Sequence, residues 1–599
     1  MRIAIRLLRR EIRVAITAGV LAALGALAIS HGLRSEGVAL CALAAAMAAG
    51  FYVFVWRPAR IPRDAVLVFK LAGALHEGPP RSPFDQLRGR AAASLFEVRQ
   101  ALEAAARDPR LRAVIVRIAG LEAGLATADE LHTLLRALGR AGKRTIALLE
   151  GDSVGVREYL AACGAGEVIA NPNAVLTMLG AAAGGVFLRG ALDKLQIEAQ
   201  TLQWKEYKGA AEVLTRDRMS AELRESLAAI VADWKELLVS RISAARALNP
   251  ACAAQLAGAG FLSVRAAIGA GLIDRADYLE SLRTELDPTR KERVFVGLNR
   301  YLRRTAYRRR PARARLALIH GVGPVIAGEA PAAGDFLSAE AVVGEFRRAV
   351  RDKSVRAIVF RVNSPGGSAL GSDLVWRALG EARERGKPVV VSMGDVAGSG
   401  GYYVAMGADR IVAGAGTVTG SIGVVYARFN LGRALAALGV TVEFVKSDES
   451  GDALSMARAL SPAELAQLDA AIGELYANFT AKVAQGRGLD PARAEAMARG
   501  RVWSGTAALR GGLIDELGGL DRAIEIARER AGLKPGEEHD IALYAPRGIW
   551  AGLRTMATPT GVPWGTGVLA QALGMPQRWT PAMLRLLARG GALLFCPLF

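Results

Sequence analysis

The sequence predicts an α/β protein built from one domain that is duplicated in tandem and preceded by membrane-spanning helices. Short apolar segments alternate with amphipathic segments of helix length, a long stretch of the chain recurs, and two uncharged apolar stretches lie near the amino terminus. Such alternation favours a mainly parallel sheet covered by helices. A chain of 599 residues, 52% hydrophobic and 22% charged, is typical of a multidomain globular or membrane-associated protein and excludes a disordered one.

Residues 1–63 are predicted to form a membrane anchor. Residues 14–30 and 38–56 carry no charge, and each stretch is long enough to cross a bilayer. A short connector joins them, which predicts a helical hairpin, although the first stretch also fits a signal peptide. Arginines flank both ends of the pair, so the positive-inside rule places the rest of the chain in the cytoplasm. If only one stretch spans the membrane, the rest lies on the other side.

The net charge of +20 and the cysteines restrict the partners and cofactors. Arginines clustered beside apolar segments favour contact with anionic lipid. No motif or basic patch interleaved with aromatic residues indicates nucleic-acid binding. The four cysteines are scattered without metal-like spacing, so we expect neither a metal site nor a disulfide framework, and no cofactor.

The duplication is visible as an alignment of the chain with itself. Arg112–Arg117 recurs as Arg356–Arg361, and Asp152–Ala170 aligns without a gap on Asp395–Ala413. Chance would not hold one register over that distance, and the period is far too long for a solenoid. We therefore expect a first repeat, a basic linker, a second repeat and a carboxyl-terminal extension, with the bounds 64–290, 291–313, 314–540 and 541–599.

Within the second repeat the pattern predicts strands and helices in turn. The expected order is strand, helix, strand, helix, strand, over Leu316–His320, Ala339–Arg351, Ala357–Val362, Asp373–Arg385 and Val389–Ser392. The extension from residue 541 ends in an apolar tail that is too short to span a membrane. Core packing, a neighbouring subunit and the membrane interface are all open for that tail.

The chain is organised around Gly394-Asp-Val-Ala-Gly-Ser-Gly-Gly-Tyr-Tyr403, which follows the last of these strands. Ser399 is predicted to lie on a tight turn from strand to helix, where glycines allow close approach of a substrate. The free N–H groups at a helix start could stabilise an oxyanion, so Ser399 is a candidate nucleophile. A plain helix entry would show the same residues.

A nucleophilic serine requires a base, and none of the five histidines lies in a motif-like setting. A desolvated, neutral lysine is the other solution. Ser399 aligns with Val156, so the first repeat lacks the serine. Lys205 and Lys208 of the first repeat align with Asp448 and Gly451, so the second repeat lacks both lysines. Each repeat therefore retains half of a site.

Five segments together resemble the signatures of one family. They are Tyr207-Lys-Gly-Ala-Ala-Glu212, Asn363-Ser-Pro-Gly-Gly367, Gly394–Tyr403, Thr419-Gly-Ser-Ile-Gly423 and Arg501-Val-Trp-Ser-Gly505. The chain resembles the long, duplicated form of the signal peptide peptidase A family, which are membrane-bound serine proteases with a Ser/Lys dyad. The resemblance implies a Clp-protease/crotonase-like fold and a dome-like homo-oligomer in the inner membrane. It also implies apolar peptides such as released signal peptides as substrates, and catalysis outside the cytoplasm.

The resemblance also implies roles for individual residues. It selects Lys208, directly after a tyrosine, as the general base, and Ser421 as the residue that fixes the lysine. Gly366, Gly367 and Gly400 become the candidate oxyanion-hole donors. Asp395 is expected to be structural and to cap its own turn.

Two other classes of function compete with a peptidase. One is a crotonase-like acyl-CoA enzyme, which the division of serine and lysine between the repeats disfavours. The other is a membrane scaffold with a fossil site, which the joint retention of serine, lysine and Pro-Gly-Gly disfavours.

Overall fold

The computed structural model describes most of the two repeats. The described residues are 38–39, 41–46, 61–78, 94–289, 294–308, 314–330, 336–534, 539–544 and 593–595. The predicted spans 14–30 and 38–56 lie outside these residues, apart from residues 38–39 and 41–46, which are helical. Among the described residues, no helix is both long and apolar enough to cross a membrane.

The described part of the first repeat begins with a long buried strand and alternates strands with helices. Its strands are β1 (Ala65–Ala74), β2 (Leu111–Glu122), β3 (Arg144–Leu149), β4 (Ser153–Gly155), β5 (Glu167–Ala170), β6 (Val175–Met178), β7 (Glu198–Trp204), β8 (Gly260–Ser263), β9 (Arg275–Ala276) and β10 (Phe295–Gly297). Its helices are α1 (Leu95–Arg107), α2 (Leu125–Arg140), α3 (Val156–Ala162), α4 (Arg189–Lys194), α5 (Glu212–Thr215), α6 (Ala221–Arg246), α7 (Pro250–Ala257), α8 (Val264–Gly269), α9 (Leu279–Leu286) and α10 (Leu298–Arg308).

The second repeat follows the same plan. Its strands are β11 (Ala314–Val322), β12 (Val325–Ile326), β13 (Leu337–Ser338), β14 (Val355–Ser364), β15 (Gly366–Ser368), β16 (Val389–Gly398), β17 (Arg410–Ala413), β18 (Val418–Gly420), β19 (Val424–Asn430), β20 (Val502–Ser504), β21 (Glu516–Leu517) and β22 (His539–Tyr544). Its helices are α11 (Ala339–Arg351), α12 (Ala369–Glu384), α13 (Gly400–Tyr403), α14 (Gly432–Ala437), α15 (Pro462–Arg487), α16 (Pro491–Met497), α17 (Gly505–Gly511) and α18 (Leu520–Arg530). Near the end of the chain lies β23 (Leu593–Phe595).

The two repeats form the same parallel sheet. The strand order is β10-β1-β2-β3-β5-β9 in the first repeat and β22-β11-β14-β16-β17-β21 in the second, and every pairing along both orders is parallel. A smaller sheet, β4-β6-β8, has its counterpart in the end of β16 with β18 and β20. Helices cover these sheets, so strands such as β14 are almost wholly buried.

Ordered structure continues beyond the predicted repeat bounds. Strand β10 and helix α10 lie inside the predicted basic linker 291–313, and β22 passes residue 540. Strands β10 and β22 each pair with the first strand of their own repeat, so both complete an edge of a sheet. Helix α10 is basic but amphipathic, since Leu298 and Tyr301 are buried. Because the stretch is rich in arginine, its sequence predicted a basic linker there and did not reveal the apolar face of α10.

A mixed sheet joins the two repeats at the site of interest. Its order is β13-β12-β15-β23-β19-β7. Strand β7 of the first repeat pairs antiparallel with β19 of the second along its whole length, from Trp204 opposite Val424 to Glu198 opposite Asn430. Strand β23 lies between β15 and β19, so this part of the apolar tail pairs within its own chain.

Candidate active site

Ser399 lies on the turn between β16 and the short helix α13. Its backbone has φ 53° and ψ −116°, a conformation that is uncommon for any residue except glycine. The Ser399 N–H donates a 2.7 Å hydrogen bond to Gly420 O, which ties the turn to the end of β18. The side chain is fully buried. The turn predicted from the glycine-rich motif is therefore present, although its helix ends at Tyr403 and does not extend over residues 404–408.

Lys208 reaches Ser399 from the other repeat. It follows β7, whose pairing with β19 carries the segment across the boundary between the repeats. Lys208 Nζ lies 2.7 Å from Ser399 Oγ, and it donates to Ser421 O at 2.7 Å and to Ser421 Oγ at 2.9 Å. All three side chains are fully buried. The structure thus brings together Ser399, Lys208 and Ser421, three of the residues that the sequence analysis named as candidates.

Lys205, the alternative lysine, lies away from this cluster. Its Nζ is 3.2 Å from Glu495 Oε1, and the side chain is 41% exposed. It also lies over the ring of Tyr476, 5.3 Å from the centroid. The repeat alignment offered both Lys205 and Lys208 as candidates, and in the structure only Lys208 of these two contacts Ser399.

A turn of the second repeat fixes the backbone around Lys208. The Tyr207 N–H donates to Arg499 O at 3.0 Å, and the Ser421 N–H donates to Arg501 O at 2.7 Å. Gly500 between them has φ +83°, and a Cβ at this position would lie only 2.5 Å from Lys208 Cβ. Only glycine fits so close to the lysine. One turn therefore holds both Lys208 and Ser421.

The candidate oxyanion donors lie on two neighbouring backbones. Gly366 and Gly367 have φ +108° and +146°, which favours glycine at both positions. A Cβ at Gly400 would lie 3.2 Å from Gly367 N and 3.2 Å from Gly366 Cα, so the two backbones are adjacent. Gly400 is the first residue of α13, where an N–H has no acceptor within the helix. The Gly366 N–H donates to Ser364 Oγ at 3.2 Å, and Gly367 pairs with Val325 of β12 and with Leu594 of β23.

The carboxyl-terminal strand lies directly beside these glycines. Strand β23 pairs antiparallel with β15, with Phe595 opposite Gly366, Leu594 opposite Gly367 and Leu593 opposite Ser368. On its other side Leu593 pairs with Val425 of β19. The space between the edges of β15 and β19 is thus filled by a strand of the same chain.

The equivalent turn of the first repeat is closed. Val156 occupies the position of the serine, and Met178, fully buried, occupies that of Ser421. Arg157 donates to Ala123 O at 3.0 Å. The Glu158 carboxylate accepts from Leu121 N at 2.9 Å and from Gly155 N at 2.8 Å. Side chains of the first repeat therefore bond backbone groups around their own turn.

Asp395 is structural, as expected, but it does not cap its own turn. Its carboxylate accepts from Thr127 N at 2.8 Å, from Thr127 Oγ at 2.8 Å and from Gly124 N at 3.1 Å. These groups lie at the start of α2 in the first repeat, whose N-cap residue Gly124 provides no side-chain cap. Asp395 therefore caps a helix of the other repeat, a contact that the local turn sequence could not reveal.

A buried charge cluster next to the site was missed by sequence reasoning. Arg361 bonds two carboxylates of the first repeat, Glu77 and Glu130. Burial raises the pKa of Glu77, and the carboxylates of Glu130 and Asp395 raise it further, while Arg361 acts in the opposite direction. The recurrence of Arg117 as Arg361 was the available signal, but it gave no indication of the partners.

A buried serine and lysine on a duplicated parallel α/β fold are the features of a serine hydrolase without a histidine base. Comparison with known proteins defines the class further. The family model described as Peptidase family S49 matches residues 139–292 and 381–534, once in each repeat. The chloroplastic serine protease SPPA of Arabidopsis thaliana is 31% identical over 498 residues, which cover 80% of this chain and 71% of that protein.

Protease 4 of Salmonella typhi is 30% identical over 457 residues, which cover 74% of this chain and 72% of that protein. Among solved structures, ClpP1 from Listeria monocytogenes is 14% identical with a TM-score of 0.21, over 34% of this chain and 91% of that one. The chain is thus a serine endopeptidase that carries two copies of one peptidase domain. It belongs to peptidase family S49, which confirms the resemblance to the duplicated signal peptide peptidase A form and disfavours the acyl-CoA and scaffold alternatives.

Proposed function

We propose that the protein is a membrane-anchored serine endopeptidase that cleaves released signal peptides or similar apolar peptides with a Ser399/Lys208 dyad. One observation carries this proposal: the 2.7 Å contact between Lys208 Nζ and Ser399 Oγ, two fully buried atoms supplied by different repeats. A nucleophile within hydrogen-bond distance of a possible base is the arrangement that covalent catalysis requires.

The reaction runs in two halves. Ser399 Oγ attacks the scissile carbonyl carbon while Lys208 Nζ takes the hydroxyl proton. The C–N bond of the tetrahedral intermediate then breaks as Nζ returns that proton to the leaving amine. Water hydrolyses the acyl ester by the same route, with Lys208 again accepting and returning a proton. The first step needs the neutral amine, and complete burial of Lys208 disfavours the charged ammonium.

Backbone donors and Ser421 support this chemistry. The N–H groups of Gly367 and Gly400 point to an oxyanion hole, with Gly366 as the alternative donor. Each such donor contributes about 3 kcal/mol to transition-state stabilisation. Ser421 bonds Nζ through both its hydroxyl and its carbonyl, and so keeps the lysine directed at Ser399.

The substrate enters as an extended peptide that pairs with β15 in the position that β23 occupies, since main-chain pairing at a sheet edge binds peptides with little dependence on sequence. The predicted spans 14–30 and 38–56 anchor the enzyme in the inner membrane, next to membrane lipid. The resemblance places the catalytic repeats outside the cytoplasm, and the arginine distribution places them inside. A homo-oligomer that encloses the sites completes the proposal, which involves no cofactor, metal or nucleic acid.

The test is peptidase activity of the full chain in detergent on an apolar, signal-like fluorogenic peptide. The variants are Ser399→Ala, Lys208→Ala and, as the matched lysine control, Lys205→Ala. We expect the first two to lose activity and the third to retain it. Activity that survives Ser399→Ala would end the proposal. A serine-reactive phosphonate probe should label the wild type and leave Ser399→Ala unlabelled, which separates a poor substrate from a dead site.

A further inference from the structure

The buried cluster around Arg361 joins the two repeats next to the candidate site. Arg361 lies on β14 and is 1% exposed. Its Nε donates to Glu77 Oε2 at 2.9 Å, and its Nη2 donates to Glu130 Oε2 at 2.9 Å. A third contact, from Nη1 to Ser392 Oγ at 2.8 Å, attaches the guanidinium to β16. Both carboxylates belong to the first repeat and the arginine belongs to the second.

Glu77 continues from this cluster toward the reacting groups. Its Oε1 accepts a 2.8 Å hydrogen bond from Asn363 Nδ2. Asn363 Oδ1 in turn accepts from Val396 N at 3.2 Å. Asn363 lies near the end of β14, just before Gly366 and Gly367 of β15, and Val396 lies on β16 shortly before Ser399. One amide therefore links the two backbones that meet at the proposed acyl-transfer centre.

The packing leaves this link little freedom. A Cβ at Gly394 would lie 2.6 Å from Glu77 Oε1 and 2.9 Å from Asn363 Cγ, so the backbone of β16 rests directly on the pair. Glu77 and Asn363 are buried, with exposures of 6% and 5%. A shift of the carboxylate would therefore move either the glycine loop or the strand that carries the nucleophile.

We propose that Glu77, oriented by Arg361, is a positioning residue for acyl transfer. Through Asn363 it sets the separation between the oxyanion loop and the Ser399 turn. This inference rests on the proposed roles of Ser399, Gly367 and Gly400. It gives the first repeat a second contribution to the site, a carboxylate in addition to the lysine.

The first repeat contains a matched contact without such a role. Arg117 is the repeat counterpart of Arg361, and it forms a bidentate pair with Glu150 at 2.8 and 2.9 Å. Arg117 is 30% exposed, and the nearby turn carries Val156 in place of a serine. Buried ion pairs add little net stability, because desolvation offsets their attraction. A gain in folding stability therefore does not explain why the ion pairs of Arg361 are fully buried, whereas that of Arg117 is partly exposed.

The experiment compares Glu77→Gln and Asn363→Ala with Glu150→Gln in the full chain. Glu77→Gln removes the charge that orients the link, whereas Asn363→Ala removes the link and leaves the ion pairs. A displacement of about 1 Å at a catalytic group costs on the order of 10²-fold in rate. We expect kcat to fall by about 10- to 100-fold in both variants with KM unchanged. Labelling of Ser399 by the phosphonate probe should slow by a similar factor, and Glu150→Gln should behave as the wild type.

Full kcat in folded Glu77→Gln and Asn363→Ala would overturn the positioning role, and so would an equal loss in Glu150→Gln. A rise in KM at constant kcat would also overturn it, because the link would then serve binding. If Glu77→Gln does not fold, Asn363→Ala alone decides. Failure of the proposed dyad has a different signature: activity that survives Ser399→Ala, whatever the Glu77 and Asn363 variants do.

Discussion

At the scale of single residues, the protonation of Glu77 makes the free energy of unfolding depend on pH. It is buried at the junction of β14, β16 and α2, where it faces Arg361, Glu130, Asp395 and Asn363. Burial raises its pKa above the ordinary value of 4.5, and the two neighbouring carboxylates add to that effect. The folded protein therefore holds this proton at a pH where the unfolded chain has lost it.

The sign of the resulting pH dependence follows from linkage. Between about pH 4.5 and the raised pKa, the native state binds more protons at Glu77 than the unfolded state does, so this carboxyl makes the free energy of unfolding fall as pH rises. We expect Glu77→Gln to flatten the decline, as measured by urea unfolding from about pH 4 to 7. Glu150→Gln, the same substitution in the ion pair of the first repeat, is measured beside it as the control. An unchanged slope in Glu77→Gln would contradict the raised pKa.

The residues that were predictable from sequence are those whose loss or retention differs between the repeats. Ser399 stands out because Val156 replaces it in the other copy. The same comparison left Lys205 and Lys208 as candidates, and the family resemblance selected Lys208. The cluster around Arg361 was not predictable in this way. Its members come from segments far apart in sequence, and a buried glutamate has no local pattern that distinguishes it from an exposed one.

At the scale of elements, the regular alternation gave reliable strands and helices. Helix α11 spans Ala339–Arg351 as predicted, and β14 and β16 contain the predicted apolar runs. The pairing of β7 with β19 was not predictable, because a strand seven residues long carries no record of its partner in another repeat. That pairing places Lys208 beside Ser399, so the contact on which the proposed site depends could not be predicted from the sequence.

Strand β23 gives a prediction at this scale. It pairs with Gly366–Ser368, the same edge that an extended substrate would need beside Ser399. The tail and a peptide therefore compete for one set of backbone groups. We expect deletion of residues 593–599 to raise kcat/KM on the fluorogenic peptide, mainly through a lower KM. Deletion of residues 596–599 is the matched control, since it shortens the chain and keeps the strand. Equal activity of both truncated forms and the full chain would contradict competition at this edge.

At the scale of the whole molecule, the two repeats depend on each other for structure as well as for chemistry. Trp234 of the first repeat donates to Gly416 O of the second at 3.0 Å, and Trp204 donates to Asp469 Oδ1 at 2.8 Å. The duplicated sheets were predictable from the alignment, but these cross-repeat contacts were not. They occur where the copies have diverged, so the self-alignment that revealed the duplication contains no information about them.

Asp395 offers the clearest test of this mutual dependence. Its carboxylate, in the second repeat, caps the start of α2 in the first. Loss of a helix cap typically costs about 1 kcal/mol, and up to about 2. We expect Asp395→Ala to lower the free energy of unfolding by that amount, and to speed hydrogen exchange of the amides in the first turn of α2. Asp152→Ala is the matched control, because Asp152 aligns with Asp395 but is exposed. Because the destabilised amides lie in the repeat that was not altered, faster exchange there would show that a carboxylate of one repeat stabilises a helix of the other. Unchanged protection of α2 in Asp395→Ala would contradict this role.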